Sequence, residues 1–283
     1  MRVFVIGDVH GMAGELSKLV AALDPKDGDR FAFLGDYVDK GPHSRAVIQA
    51  VRHLLTRYPG SVAIAGNHED SAMRLYAKAQ KAGSWDGLRK ADKEPWLKDM
   101  TEDEYQWLRS LPLVARPWPG TVMIHGGMFP AYFDKHDVIG DVPAAWHKRG
   151  GKRMDRMRRF LRVRHVYKPG VLSAKGKDIG GNMVSLGDEG EDTANWADVY
   201  DGREGFAFYG HAPQKTGNPV LSSHALGLDT GAVFGGRLTA AVLSAEDQGV
   251  GTRWESAFGH VQLVSVAARE AYAEWLEAFE ADG

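Results

Sequence analysis

The sequence predicts an α/β fold, central β-sheets flanked by helices, on three observations. Three short apolar runs, "RVFVI" (2–6), "RFAFL" (30–34) and "SVAIA" (61–65), each stop at a glycine and give way to a polar loop and a helical pattern, a βαβαβ beginning. The intervening segments place apolar residues at three- and four-residue steps: Leu16, Leu19, Val20 and Leu23, then Val47, Ile48, Val51, Leu54 and Leu55. Later, "TVMIHGG" (121–127), "GFAFYGHA" (205–212) and "RLTAAVL" (237–243) supply further strand-like runs, two of which end in a histidine beside glycine.

Between these runs the pattern changes. Residues 82–110 read as helical and solvated, anchored by Trp85, Leu88, Trp96, Leu97 and Trp107. Residues 168–204 are rich in glycine and acids, which suits a loop excursion from one domain better than a linker between two. The segment 267–281, "AAREAYAEWLEAFEA", predicts a short amphipathic helix. No solenoid repeat is present, and 1–283 is expected to form a single domain.

Composition narrows the function. With 43% apolar residues the chain can bury a sizeable core, and 35 basic against 37 acidic residues give no basis for specific nucleic-acid binding. An anionic substrate must therefore be held by a local site. Cysteine is absent, which excludes disulfides, thiolate metal sites and cysteine nucleophiles, and leaves eleven histidines as the nitrogen ligands. The first apolar run is too short for a secretory signal and no stretch approaches membrane-spanning length, so a soluble, cytoplasmic protein with no membrane partner is expected.

In an open α/β sheet, loops at the carboxyl ends of the strands share one edge, where ligands bind. Here those loops carry Asp8 and His10, then Asp36 and Asp39, then Asn67 and His68, then His125, then His211. An aspartate after a strand is an ordinary cap or turn residue, and a lone histidine at a strand end is as readily satisfied by backbone. Five glycine-marked strand ends all presenting ligands are another matter, because turn chemistry alone would choose Asn, Ser and Gly about as readily as His. Oxygen and nitrogen donors without sulfur suit two divalent metal ions, Mn²⁺ first, with Fe²⁺ or Zn²⁺ as alternatives, sharing one bridging carboxylate.

The motifs "GDVHG", "GDYVDKG", "GNHE", "HGG" and "GH", in this order and spacing, resemble the PPP branch of the calcineurin-like metallophosphoesterases. The "KGP" form at 40–42, "LRVRHV" (161–166), "WADVYDGREGFAFYGHA" (196–212) and "GLDTGAVFGGRLTA" (227–240) look most like the ApaH-like phosphatases, with bacterial serine/threonine protein phosphatases also similar. The resemblance implies the metallophosphoesterase fold with a dinuclear site at the carboxyl edge of the strands. It assigns Asp8 and His10 to one metal, Asp36 as the bridge, and Asn67 and His125 to the second metal, with His211 joining Asp8 and His10. It also implies direct attack by a metal-bridging hydroxide, with His68 as proton donor to the leaving group and Asp39 orienting it.

Where most of that family has arginine, this chain has Lys40, a point charge instead of a bidentate fork, which relaxes selection of a single phosphate pose and suits a longer polyphosphate. A second cation of the phosphate clamp is expected among Arg158, Arg159, Arg162 and Arg164, with Arg164 favoured. Residues 168–204 are expected to discriminate substrates, and Glu69 and Asp70 to cap the helix after His68. The first functional reading is a phosphoprotein phosphatase acting on serine/threonine, with tyrosine open. The alternative is a hydrolase of dinucleoside polyphosphates such as diadenosine tetraphosphate, capped nucleotides or polyphosphate. An inactive phosphatase-fold binding module is the alternative of a different class, and it predicts a broken ligand set.

Overall fold

The computed structural model describes residues 1–133, 146, 152–185, 187–244 and 261–275. The predicted βαβαβ opening is present as β1 (Arg2–Ile6), α1 (Ala13–Leu23), β2 (Arg30–Phe33), α2 (Ser44–Arg57) and β3 (Val62–Ala63), followed by α3 (Asn67–Ala82). Next come α4 (Arg89–Lys93), α5 (Glu102–Ser110), β4 (Val114–Ala115), β5 (Thr121–Ile124), α6 (Pro130–Phe133), α7 (Lys152–Arg159), β6 (His165–Tyr167), β7 (Thr193–Asn195) and α8 (Trp196–Val199). The chain closes with β8 (Phe206–Tyr209), β9 (Val220–Ser222), β10 (Ala225–Gly227), β11 (Arg237–Ser244) and β12 (Gln262–Ala267).

Two five-stranded sheets form the centre, ordered β12-β11-β1-β2-β3 and β4-β5-β8-β10-β9. Strands β1, β2 and β3 are parallel in the first, and β5, β8 and β10 in the second. Alternation along each strand divides the core. Val3, Val5, Met123, Phe206 and Phe208 point into an inter-sheet layer, while Phe4, Ile6, Val122, Ile124 and Tyr209 face the layer shared with the helices. The ligand-bearing strand ends, expected along one open sheet, are therefore divided between two: β1 to β3 in one, β5 and β8 in the other.

The segment 82–110 is less continuously helical than its composition suggests. Gly87 takes a left-handed φ of 74°, and Pro95 opens a 3₁₀ turn at Pro95–Leu97, so only α4 and α5 form beyond α3. Its predicted anchors do pack on the core, Leu88 and Leu97 buried and Trp85, Trp96 and Trp107 partly so. The C-terminal helix expectation is corrected. Residue 267 ends β12, which covers the edge of β11, and 268–275 are not helical, while 276–281 lie outside the described residues. Pairing satisfies the N–H and C=O groups of β11, a gain that one amphipathic turn cannot offer. Tyr272 and Ala273 then donate their N–H groups to the Val233 carbonyl at 2.8 and 3.1 Å.

Phe208 is fully buried between the sheets and meets Phe206 edge-to-face at 5.4 Å. Phe208→Ala is expected to lower stability by about 3–5 kcal/mol. It should appear as a lower urea midpoint with an unchanged slope, and a midpoint equal to wild type would contradict the inter-sheet packing.

Candidate active site

The site begins with two loops that leave parallel strands at the same level. Ile6 pairs opposite Phe33, and beyond them Val9 and His10 both donate N–H to the Asp36 carbonyl, at 3.0 and 2.8 Å, while Gly11 donates to the Tyr37 carbonyl. The third loop is glycine-limited: a Cβ at Gly66 would overlap the Asp36 carboxylate, so only glycine lets α3 start here. The His68 N–H then donates to Asp36 Oδ1 at 3.0 Å. Within sheet two the Gly210 N–H reaches the His125 carbonyl at 2.9 Å, and that sheet joins the first through the His211 N–H to Asp8 Oδ2 at 3.0 Å.

Holding these loops so close strains the backbone. Of six described non-glycine residues with positive φ, five are predicted site residues: His10 (44°), Asp36 (51°), Asp39 (68°), Lys40 (65°) and His211 (64°). Such conformations persist only where the surroundings over-determine them.

The imidazoles are oriented by their second nitrogens. His10 donates from Nδ1 to the Val38 carbonyl at 3.0 Å and His125 from Nδ1 to Leu34 at 2.8 Å, so both Nε2 atoms turn to Asp36 Oδ2, at 3.6 and 3.3 Å. His68 donates from Nδ1 to Asp39 Oδ2 at 2.7 Å, leaving its Nε2 4.0 Å from Asp36 Oδ2. His10, Asp36 and His68 form one cluster able to hold a metal ion, and Asp36, His125 and His211 form a second. Asp36 belongs to both, as a bridge would. Asn67 Oδ1 lies 2.9 Å from His125 Nε2 and 3.0 Å from His211 Nδ1. His211 therefore sits with His125 and Asn67, which corrects the expected grouping with Asp8 and His10: β5 and β8 are adjacent in one sheet, whereas Asp8 and His10 follow a strand of the other.

The donors fit divalent cations on two counts. Asp8 Oδ1 is buried with no hydrogen-bond partner. His211 faces an acceptor from each ring nitrogen, Asn67 Oδ1 and the Arg162 carbonyl at 3.2 Å. A neutral ring can donate to only one of them, and burial, then Arg164, holds its pKa well below the usual range, so a cation at Nδ1 resolves the conflict. The carboxylates agree. Burial, then Asp229, pushes Asp8 well up; burial opposes the charge on Asp36 too, but His125 and His68 outweigh it and hold Asp36 well down. Burial likewise disfavours protonated His125, yet Asp36 outweighs it and lifts the imidazole to about 10.

Asp39 is held from three sides. Beside His68, it accepts from Lys90 Nζ at 2.6 Å and from Trp96 Nε1 at 2.9 Å. Burial, which would raise its pKa, is outweighed by Lys90 and His68, so it stays ionised. Glu69, expected only to cap α3, also accepts from the Asp36 and Tyr37 N–H groups as well as Gly66, each at 2.8 Å. Asp70 binds Arg158 at 3.0 Å and Arg162 at 3.2 Å instead of serving only as a cap. That occupies two of the four arginine candidates, whereas Arg164 lines the metal pocket, its Nη2 donating to the His211 carbonyl at 3.1 Å. Lys40 lines the same pocket, its ammonium 5.0 Å above the Phe234 ring.

The sequence did not mark Lys90, Trp96, Glu94 or Asp229 as site residues; Trp96 stood out only as a packing anchor and Asp229 only within a quoted motif. The first three lie in a segment whose charges resemble a solvated face, and no spacing ties them to Asp39. Asp229, inside "GLDTG", lines the metal pocket, and the motif's position just before β11 was its only signal.

Residues 1–172 match the calcineurin-like phosphoesterase family, and the chain belongs to it. It is a hydrolase of the metallophosphoesterase type. It is 28% identical over 258 residues to the asymmetrical bis(5'-nucleosyl)-tetraphosphatase PrpE of Halalkalibacterium halodurans, covering 85% of this chain and 89% of that one. It is 29% identical over 273 residues to the symmetrical bis(5'-nucleosyl)-tetraphosphatase of Chromohalobacter salexigens, covering 85% and 94%. A cold-active protein tyrosine phosphatase shares the fold, with a TM-score of 0.60 at 14% identity, covering 96% of this chain and 80% of the other. Among the described residues no helix is long and apolar enough to cross a membrane.

Glu94 accepts the Lys40 N–H at 2.8 Å, and burial, then Asp39, raises its pKa from 4.5 to about 7. A carboxyl raised on folding contributes stability that is complete below its unfolded pKa and lost as pH rises through the folded value. Metal-free protein should therefore lose stability between pH 4.5 and about 7. Glu94→Gln should shrink that decline by roughly 1–3 kcal/mol in urea titrations with chelator at about pH 5 and pH 8. An equal decline in both proteins would show that Glu94 does not carry it.

Proposed function

We propose that this chain hydrolyses a phosphoanhydride bond of dinucleoside polyphosphates such as diadenosine tetraphosphate. The observation that carries the substrate choice is kinship along most of both chains with two bis(5'-nucleosyl)-tetraphosphatases. Likeness to a protein phosphatase at 14% identity is a likeness of fold. The phosphoprotein substrate placed first from sequence therefore yields to its alternative. The convergence of Asp8, His10, Asp36, Asn67 and His211 in one pocket, with His125 clustered against Asp36, also speaks against an inactive binding module.

Asp8, His10 and Asp36 would hold one divalent cation, and Asp36, Asn67, His125 and His211 the other, with Mn²⁺, Fe²⁺ or Zn²⁺ suiting these oxygen and nitrogen donors. Such a pair, when bound, lowers the pKa of an attacking water and neutralises phosphoryl oxygens. The rest falls to side chains. Lys40 and Arg164 flank the pocket and draw the phosphate chain onto it. His68 presents Nε2 to the same space and gives its proton to the departing oxygen, while Asp39 fixes the tautomer and favours the imidazolium. Lys90 and Trp96 keep Asp39 in place.

The test is a panel of diadenosine tetraphosphate, p-nitrophenyl phosphate and a phosphoserine peptide, with Mn²⁺, Mg²⁺ or Zn²⁺ restored after chelation. Diadenosine tetraphosphate should lead the peptide in kcat/KM by ~100-fold or more, a difference of about 2.7 kcal/mol in transition-state binding. Chelation should abolish all three activities. A peptide turned over as well as the dinucleotide would overturn the substrate, and full activity after exhaustive chelation would overturn the metal requirement.

His68→Asn should leave metal content intact and lower kcat by ~10²–10⁴ on phenyl phosphate, whose phenolate leaves poorly unless protonated. The loss should be smaller on p-nitrophenyl phosphate. Equal losses on the two esters would mean that His68 positions phosphate instead of donating a proton.

A further inference from the structure

We infer that a second cavity, joined to the metal pocket at Arg164, holds the nucleoside of the substrate, taking base and sugar while the phosphate chain lies along the metal edge. This rests on the reading of the substrate as a nucleoside polyphosphate. The metal pocket is small and polar, so whatever follows the reacting phosphoryl group must lie beyond it. A cavity of about 200 Å³ lies next to it, and Arg164 lines both. A larger cavity of about 280 Å³, beside Tyr167 and Tyr200, shares no residue with the metal pocket.

The lining of the adjoining cavity suits a nucleotide from one end to the other. Arg162 and Arg164 form its wall toward His211, the Arg162 carbonyl lying 3.2 Å from His211 Nε2, and a phosphate chain crossing from the metals meets the Arg164 guanidinium, since that of Arg162 is paired with Asp70. Met183 and Val184 supply an apolar surface, and a thioether packs well on a planar base. Polar groups complete it. His165 Nδ1 is buried without a hydrogen bond, 3.8 Å from Glu189 Oε1, and offers a partner to a base edge, while Glu189 and Ser185 can accept from ribose hydroxyls.

A peptide fits less well. β6 is bracketed on both sides, by β7 and by a bridge from Val166 to Met183, so it has no open edge on which an extended chain could add as a strand.

Calorimetric titration of the Mn²⁺-supplemented protein with α,β:β,γ-bismethylene ATP and with bismethylene triphosphate, the same chain without nucleoside, tests the assignment. The ATP analogue should bind ~10-fold or more tightly than the triphosphate mimic. Ser185→Trp, which fills the cavity from an exposed position, should remove that advantage and leave the mimic's affinity unchanged. Met183→Ser should reduce it several-fold, and circular dichroism would confirm that both variants fold. Equal binding in wild type, or an advantage that survives both variants, would overturn the inference. Turnover separates it from the proposed function. If diadenosine tetraphosphate is hydrolysed with the same KM in both variants, the cavity assignment fails and the proposed function stands. If wild type does not hydrolyse it, yet the nucleoside advantage is present and lost in Ser185→Trp, the proposed substrate fails and the cavity assignment stands.

Discussion

Asp36 is the residue on which the active edge depends. Its buried carboxylate, the side chain 3% exposed, faces His125 at 3.3 Å and His10 at 3.6 Å and accepts the His68 N–H at 3.0 Å. Its carbonyl accepts the N–H groups of Val9 and His10, and its own N–H goes to Glu69. One residue thereby ties together the loops after β1 and β2, the start of α3 and, through His125, the second sheet. A buried carboxylate is costly unless surrounded by donors or cations, and that cost makes the geometry all-or-none: the loops must meet around it or the charge is left uncompensated.

The same low-dielectric setting couples every ionisable group nearby. Burial, then Asp36, raises Glu69 to about 8, and Asp8 and Asp229 are raised by burial as well. Without cations, these raised carboxyls favour their neutral form. Cations at the two clusters would favour ionisation and add positive potential, and Lys40 and Arg164 extend it outward along the path a phosphate chain would take. Although the chain as a whole carries a net charge of −2, the charge that governs binding is local.

Two segments outside the repeating βα units supply what those units lack. The stretch containing α4 sends Lys90 and Trp96 onto Asp39, and so helps fix His68, the proposed proton donor, which lies on a different helix. The stretch from β6 to β7 builds a walled cavity beside Arg164. The C-terminal segment has a smaller part, stacking Trp275 on Phe234 at 4.8 Å, beneath the Lys40 ammonium.

The sequence alone determined β1, β2, β3, β5, β8 and β11, the first two helices and the candidate donors, because each rests on local regularities: apolar alternation, three- and four-residue steps, and a glycine that lets a strand end open into a polar loop. Asp8, His10, Asp36, Asn67, His125 and His211 were legible for that reason, and they do converge. What only the tertiary structure decided concerns pairing at a distance. The division of the strand ends between two sheets placed His211 beside His125, and no spacing between residues 125 and 211 encodes that adjacency. Lys90 and Trp96 became supports of Asp39 from 51 and 57 residues away. Residues 262–267 became a strand because β11 had an open edge to be paired, a backbone requirement that the side chains of the segment do not announce.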